Sequence, residues 1–354
     1  MRIEDFRLRL RELGAKPGHE AQLLRCWTGG LPIPGDFPPR QQALPGAVRA
    51  ALPGLSADLA GLARVGSEHV GEDGSVRLLV ELADGQAVES VLLPRDGVCV
   101  STQVGCAVGC VFCMTGRDGL IRQLSDAEIV AQVVLARARR PVKKAVFMGM
   151  GEPAHNMDNV LSAIELLGTL GGIGHKNLVF STVGDRRVFE RLPAGPVKPA
   201  LALSLHTTDA ELRARLLPKA PRIDPAELVE LGEAYARATH YPIQYQWTVL
   251  EGVNDSEAEL DGIARLLAGK YAIMNLIPYN AVEGTGFARA SAERAAAMSL
   301  YLHRRGVLTK LRQSAGQDVE GGCGQLRARA AGGPRAVRAP SVDAADDARA
   351  QRTG

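Results

Sequence analysis

From Asp96 onward two hydrophobic patterns alternate along the chain. Short apolar runs at 97–104, 144–149, 177–182, 199–205, 243–250 and 272–278 predict buried strands. Between them, apolar residues recur every three to four positions at 156–170, 209–216, 225–239, 256–267 and 291–305. That spacing predicts amphipathic helices. A further helix should open at Ser125, because Ser125 followed by Glu128 is a capping box. Strand and helix in alternation imply a parallel sheet with right-handed crossovers. Six such units fit an incomplete barrel, short of the full eight.

The first third reads differently. Residues 1–65 carry short helical stretches broken by Gly/Pro loops, most clearly at 29–35 (GGLPIPG). Apolar alternation on either side of Asp84 and Gly85 predicts a hairpin within 66–95. From Arg329 the chain is rich in Ala, Arg, Asp and Gly and almost without large apolar residues, so 329–354 is expected to be a disordered tail. The fold expected is therefore α/β: a partial (β/α)6 barrel over 96–328, behind a small helical and hairpin accessory region.

Composition narrows the class only a little. With 46% hydrophobic and 23% charged residues the balance is that of an ordinary globular chain. The N-terminus is too charged for a signal peptide, and no apolar run reaches membrane-spanning length. A cytoplasmic protein without a membrane partner is expected, in a compartment where six cysteines suggest metal binding or catalysis rather than disulfides. Net charge is only +3, but basic residues cluster at Arg137–Lys144, Arg186–Arg191 and Arg304–Arg312. Such clusters are usually solvated helix ends; several on one face would make a phosphate-binding surface.

The chemistry concentrates at Cys106, Cys110 and Cys113, spaced C-x3-C-x2-C directly after the first predicted barrel strand. Three thiolates can hold three irons of a 4Fe–4S cluster and leave the fourth open for chemistry. A zinc site would normally close with a fourth ligand at short spacing, and the nearest downstream histidine is His155.

This triplet resembles the loop of the radical S-adenosylmethionine (SAM) superfamily. Residues 103–110 (QVGCAVGC), 149–153 (GMGEP), 180–184 (FSTVG), 203–206 (LSLH), 252–255 (GVND), 275–280 (NLIPYN) and 322–326 (GCGQL) narrow the likeness. Together they resemble the RlmN/Cfr family of radical SAM RNA adenine methyltransferases, over about 76–326. The resemblance implies a 4Fe–4S cluster on Cys106, Cys110 and Cys113, and SAM held by Gly151, Glu152, Ser181, Ser204, Leu205, His206 and Asn280. It implies two SAM per turnover. One methylates Cys323, and the other yields a 5′-deoxyadenosyl radical that activates this S-methylcysteine to add its carbon to the base. Cys99 then resolves the adduct through a transient disulfide with Cys323. Glu89 matches the proton acceptor, with Cys99 a rival for that role.

The same resemblance implies a monomer acting on adenine C2 of 23S rRNA and of tRNA, with a flavodoxin-like electron donor. Methylation at C8 is the near alternative; a different radical SAM reaction and a noncatalytic zinc-holding RNA-binding module are the others. Gln246 stands where relatives often carry Glu, and 217–221 (LPKAP) departs from the family's usual run. Cys26 matches no family position and reads as a small buried hydrophobe.

Overall fold

A computed structural model describes residues 1–31, 33, 43–282 and 284–328. The expected tail, and part of the Gly/Pro loop near residue 35, lie outside the described residues.

Three helices come first: α1 (Ile3–Glu12), α2 (Pro17–Thr28) and α3 (Gly46–Ala60). An antiparallel meander follows, β1 (Ala63–Val70), β2 (Val76–Leu82) and β3 (Ala87–Leu93), and then β4 (Gly97–Cys99), antiparallel to β3. The chain leaves the main sheet to form a small ribbon, β5 (Gln103–Gly105) with β6 (Leu120–Gln123), around the cysteine loop.

The alternation then sets in. It runs α4 (Asp126–Arg137), β7 (Lys144–Phe147), α5 (Met157–Thr169), β8 (Leu178–Thr182), α6 (Arg186–Ala194) and β9 (Ala200–Ser204). It continues through α7 (Ala210–Leu216), α8 (Pro225–Thr239), β10 (Ile243–Val249), α9 (Glu257–Leu267), β11 (Ala272–Pro278), α10 (Ala292–Arg304) and β12 (Thr309–Leu311). The main sheet has ten strands in the order β1-β2-β3-β4-β7-β8-β9-β10-β11-β12, parallel from β4 onward.

The elements start where their chemistry directs. In α4 the Ser125 hydroxyl accepts from the Glu128 N–H at 3.2 Å, and the Glu128 carboxylate accepts from the Ser125 N–H at 2.8 Å. That reciprocal cap is the box expected from the sequence. Helix α8 opens on Asp224, whose carboxylate accepts from the Ala226 N–H at 2.8 Å, with Pro225 in its first turn. Helix α5 is offset toward its N-terminus by a short 3₁₀ turn, Pro153–Asn156.

Three differences from the sequence reading have physical reasons. The run 97–104 is not one strand: Val100 still donates to Val146 O at 2.9 Å, but the chain then turns toward the ribbon, so β4 ends at Cys99. Strand β1 straddles residue 65 and makes the hairpin a three-stranded meander; its irregularity at Val65/Ser67 and outward exposure blurred its alternation. Strand β12 has only three residues, two of them exposed, so it carries no buried apolar run to read.

One continuous core runs through both parts of the chain, from Phe6, Leu23 and Leu55 of the first helices to Phe147, Phe180 and Trp247. The N-terminal helices are pinned to α4: the Arg137 guanidinium donates to Thr28 O at 2.6 Å, and the Ile3 N–H donates to Asp126 Oδ1 at 3.0 Å. A separate apolar cluster, including Val108, Phe112, Leu216 and Tyr279, lies against the three loop cysteines. Among the described residues no helix is long and apolar enough to cross a membrane.

Candidate active site

Residues from the carboxyl ends of β7, β8, β9, β10 and β11 line one cavity, so the sheet curls around it. The space within it, counting the solvent at its open mouth, is about 910 Å³. Met148, Ser181, Ser204, Thr248 and Ile277 form its wall, and Cys106, Cys110, Cys113 and Cys323 lie on the same cavity. This is the end of a parallel α/β sheet at which sites are built.

The cysteine loop is held by backbone bonds from three directions. Cys106 N–H donates to Gly119 O at 2.9 Å, Val111 N–H to Leu216 O at 3.1 Å, and Met114 N–H to Gly324 O at 2.7 Å. The first tie closes the ribbon, the second docks the loop on α7, and the third joins it to the segment carrying Cys323. Burial pushes the Cys106 thiol up to about 12, the Cys110 thiol well above its ordinary range and the Cys113 thiol up. Thiols so raised need a cationic partner to exist as thiolates.

Among the described residues, no three His, Cys, Asp or Glu side chains converge closely enough to hold a single metal ion. Cys106, Cys110 and Cys113 share one cavity, and three thiolates can hold three irons of a cluster. A second observation favours an anionic occupant. Arg213, on α7, is buried, and among the described residues its guanidinium donates to the backbone carbonyls of Val183 and Ser204. Its Nε has no partner. Burial lowers this guanidinium to about 10, and the charges that oppose the shift are those of Cys110 and Glu152. A buried cation without a contacting carboxylate is costly unless a negative group lies close by. A thiolate-bound cluster carries that charge, so the residues present fit the group.

The expected SAM residues gather on the same cavity, with two exceptions. Gly151, Glu152, Ser181, Ser204 and His206 line it. Gly151 has φ +100°, and a Cβ there would sit 2.6 Å from the Gln103 side chain, so the position admits only glycine. The buried Glu152 carboxylate accepts from Ala154 N–H at 3.0 Å and Val183 N–H at 2.9 Å, and burial pushes it up to about 7. His206 Nδ1 accepts from Thr248 N–H at 3.0 Å, which leaves the proton on Nε2; burial, with Arg213 adding to it, pushes this ring down to about 3.

Leu205 and Asn280 stand apart from the lining. Leu205 is fully buried in the core, and its N–H donates to Gln246 O at 3.1 Å. The buried Asn280 donates through Nδ2 to Ser314 Oγ at 2.9 Å and Cys323 O at 3.0 Å, while its Oδ1 is unpartnered.

The remaining expected residues lie at the edge of the site. Cys323 is exposed, whereas Cys99, at 9% exposure, ends β4. Burial pushes the Cys99 thiol up to about 12, and a thiolate at Cys323 adds to this shift, which places the two in each other's field. Both are free thiols here. Glu89, at 1% exposure, is not on the cavity wall: it pairs with Arg77 and accepts from Arg327 N–H at 2.8 Å. Its carboxyl is raised by burial against the opposing pull of Arg77.

Glycines flank Cys323 for packing. A Cβ on Gly322 would lie 2.7 Å from Asn280 Nδ2, and Gly324 has φ +85°. Several residues of the basic clusters are spent internally, in Arg139–Glu68, Lys143–Asp96, Arg186–Glu227 and Arg191–Asp158 pairs.

Sequence reasoning missed Arg213, Arg77, Ser101 and Thr115. No local signal marks them: each acts through a partner distant in sequence.

Comparison with known proteins agrees with this geometry. Residues 100–261 match the Radical SAM superfamily. A protein of Aromatoleum aromaticum described as a "Probable RNA methyltransferase" is 74% identical over 93% of this chain and 93% of its own length. One from Methylibium petroleiphilum with the same description is 72% identical over 97% of each chain. The crystal structure of a radical SAM methyltransferase from Sphaerobacter thermophilus superposes with a TM-score of 0.81, at 34% identity, over 93% of this chain and 98% of its own. With three cysteines on the cavity at the carboxyl end of the sheet and relatives matched along nearly its whole length, the chain belongs to the radical SAM superfamily, in the family of these relatives.

Proposed function

We propose that the chain is a radical SAM RNA methyltransferase of the RlmN/Cfr type, delivering a methyl-derived carbon to C2 of an adenine in 23S rRNA and in tRNA. The observation that carries this reading is Cys323, an exposed thiol on the same cavity as Cys106, Cys110 and Cys113. The description of the relatives supports RNA as the substrate.

Adenine C2 has no lone pair with which to attack a methyl donor, so the carbon must be delivered by other means. When bound on the three loop cysteines, the cluster supplies an electron to SAM and so a 5′-deoxyadenosyl radical, with a flavodoxin-like donor as the electron source. Glu152, Ser181, Ser204 and His206 orient SAM within the cavity, and the apolar cluster of Phe112, Val183 and Tyr279 keeps water out. Cys323 carries the methyl group from a first SAM, so two are used per turnover. Once the adduct radical has given up one electron, which the oxidised cluster would accept, the Cys99 thiolate attacks the Cys323 sulfur, forming a disulfide and breaking its bond to the carbon now on the base, which takes up a proton to complete the methyl group; a thiol reductant then restores both cysteines. Glu89 accepts the ring proton, and its burial makes it a stronger base than a surface carboxylate.

Nucleoside mass spectrometry of rRNA and tRNA, from cells with and without the gene, tests this. A 2-methyladenosine that disappears with the gene is expected; 8-methyladenosine in its place, or no change in either RNA, overturns the C2 assignment or the substrate. Cys323→Ala enzyme that still methylates RNA would remove the thiol from the reaction. Cys99→Ala enzyme should accumulate RNA covalently attached to protein.

A further inference from the structure

The segment from 312 to 328 forms no strand or long helix, yet it is densely bonded. Two of its anchors belong to one ion pair on the β2–β3 hairpin. Arg77 donates through Nε to Val319 O at 2.6 Å and through Nη1 to Glu89, while Glu89 Oε2 accepts from Arg327 N–H at 2.8 Å. Cys323 lies midway between Val319 and Arg327, so both feet of its loop stand on the same pair.

Each foot is followed by a strained residue. Glu320 has φ +55° and Ala328 φ +47°, the left-handed region that side chains other than Gly, Asn and Asp rarely occupy. Such conformations persist only where surrounding bonds hold them. Local backbone bonds from Val319 N–H to Gly316 O and Glu320 N–H to Gln317 O, both 3.3 Å, and the Thr115 hydroxyl on Leu326 O at 2.6 Å contribute, but the feet are tied to the hairpin by the bonds of Arg77 and Glu89. They are charge-assisted and shielded from water, with side-chain exposures of 15% and 2%.

We propose that the Arg77–Glu89 pair latches the Cys323 loop, and that Arg77 is a positioning residue for the Cys323 thiol. Closed, the latch sets Cys323 on the cavity wall and keeps Glu89 engaged away from it. Opening releases both feet from the hairpin together and frees the Glu89 carboxylate in the same event, leaving the thiol segment on its Asn280 and Met114 ties. The proposal rests on the reading that Cys323 carries the transferred carbon, but the latch is read out without turnover, so either idea can fail alone.

The test is hydrogen–deuterium exchange on the reconstituted full-length protein, comparing wild type with Arg77→Met and Arg77→Lys. In Arg77→Met, exchange over 316–328 should quicken about tenfold or more, as expected for losing charge-assisted bonds, with the hairpin over 76–93 unchanged. Arg77→Lys keeps the charge beside Glu89 but lacks the fork, so it should give a smaller increase; it also serves if Arg77→Met does not fold. With RNA, Arg77→Met should lower kcat and leave KM for RNA unchanged, and Arg77→Lys should restore part of kcat. Unchanged exchange over 316–328 in both variants overturns the latch. Equal quickening of the segment and the hairpin also overturns it, because Arg77 would then serve general stability.

Discussion

Replacing Ser101 by alanine should damage the site through bonds that do not touch any ligand. Ser101 is fully buried and makes four hydrogen bonds. Its backbone N–H donates to Gln132 Oε1 at 2.8 Å and its carbonyl accepts from Gln132 Nε2 at 2.9 Å. Its hydroxyl donates to Glu89 O at 2.6 Å and accepts from Met150 N–H at 2.8 Å. Alanine keeps the first two and abolishes the last two, leaving a buried carbonyl and a buried N–H unpaired. At about 1–3 kcal/mol for each group the cost is roughly 2–6 kcal/mol. With an unfolding entropy of about 2.1 cal/mol/K per residue, that is a fall in Tm of roughly 3–8 °C for a chain of this size. Met150 directly precedes Gly151 and Glu152, so affinity for SAM should also weaken several-fold. Calorimetry at fixed pH, with SAM binding to the reconstituted enzyme, measures both. Ser67→Ala, on an exposed strand, is the control and should shift Tm by less than about 1 °C. A Ser101→Ala protein that melts within about 1 °C of wild type would refute the assignment of Ser101 as the junction between Glu89 and the Gly151–Glu152 loop.

Gly151→Ala should abolish SAM binding while leaving most of the fold intact, since its Cβ would enter the Gln103 side chain at 2.6 Å; near-normal SAM titration would contradict this. Asn254→Ala should destabilise the protein by about 2–4 kcal/mol, because its side chain bonds His206 O at 2.7 Å, Thr248 O at 2.8 Å and Leu250 N–H at 2.8 Å within the core; denaturant melts give the value. His206 is held neutral with its pKa pushed down to about 3, below the ordinary value of 6.5. Its contribution to stability is therefore complete above about pH 6.5 and is lost as pH falls toward 3. A His206→Gln protein should show a shallower loss of stability than wild type across that window, and parallel curves would exclude the histidine as the cause.

The parts of this molecule that were legible are those whose signal is local. Six parallel strands announced themselves because Leu, Val, Ile and Phe must be buried on both faces, and the Ser125 cap because its two bonds span only three residues. The cysteine triplet was legible for the same reason. Strand β12 was not, since it joins the sheet through backbone pairing with β11 rather than through an apolar face. Leu205 stands inside the LSLH run between two cavity residues, one position past the end of β9, and its side chain is buried in the core. Arg77, Ser101 and Arg213 were invisible because their partners lie on other elements and are chosen only when the sheet curls.

The placement of the loop anchors also bears on how the protein is made. Met114 N–H and the Thr115 hydroxyl find their acceptors only at Gly324 and Leu326, at 2.7 and 2.6 Å, more than two hundred residues later in synthesis. Until those residues leave the ribosome, the cysteine loop lacks these two ties. Arrival of the last segment supplies both acceptors at once and brings Cys323 onto the cavity that the cysteine loop already borders, so this wall of the site is the last part of the fold to be completed.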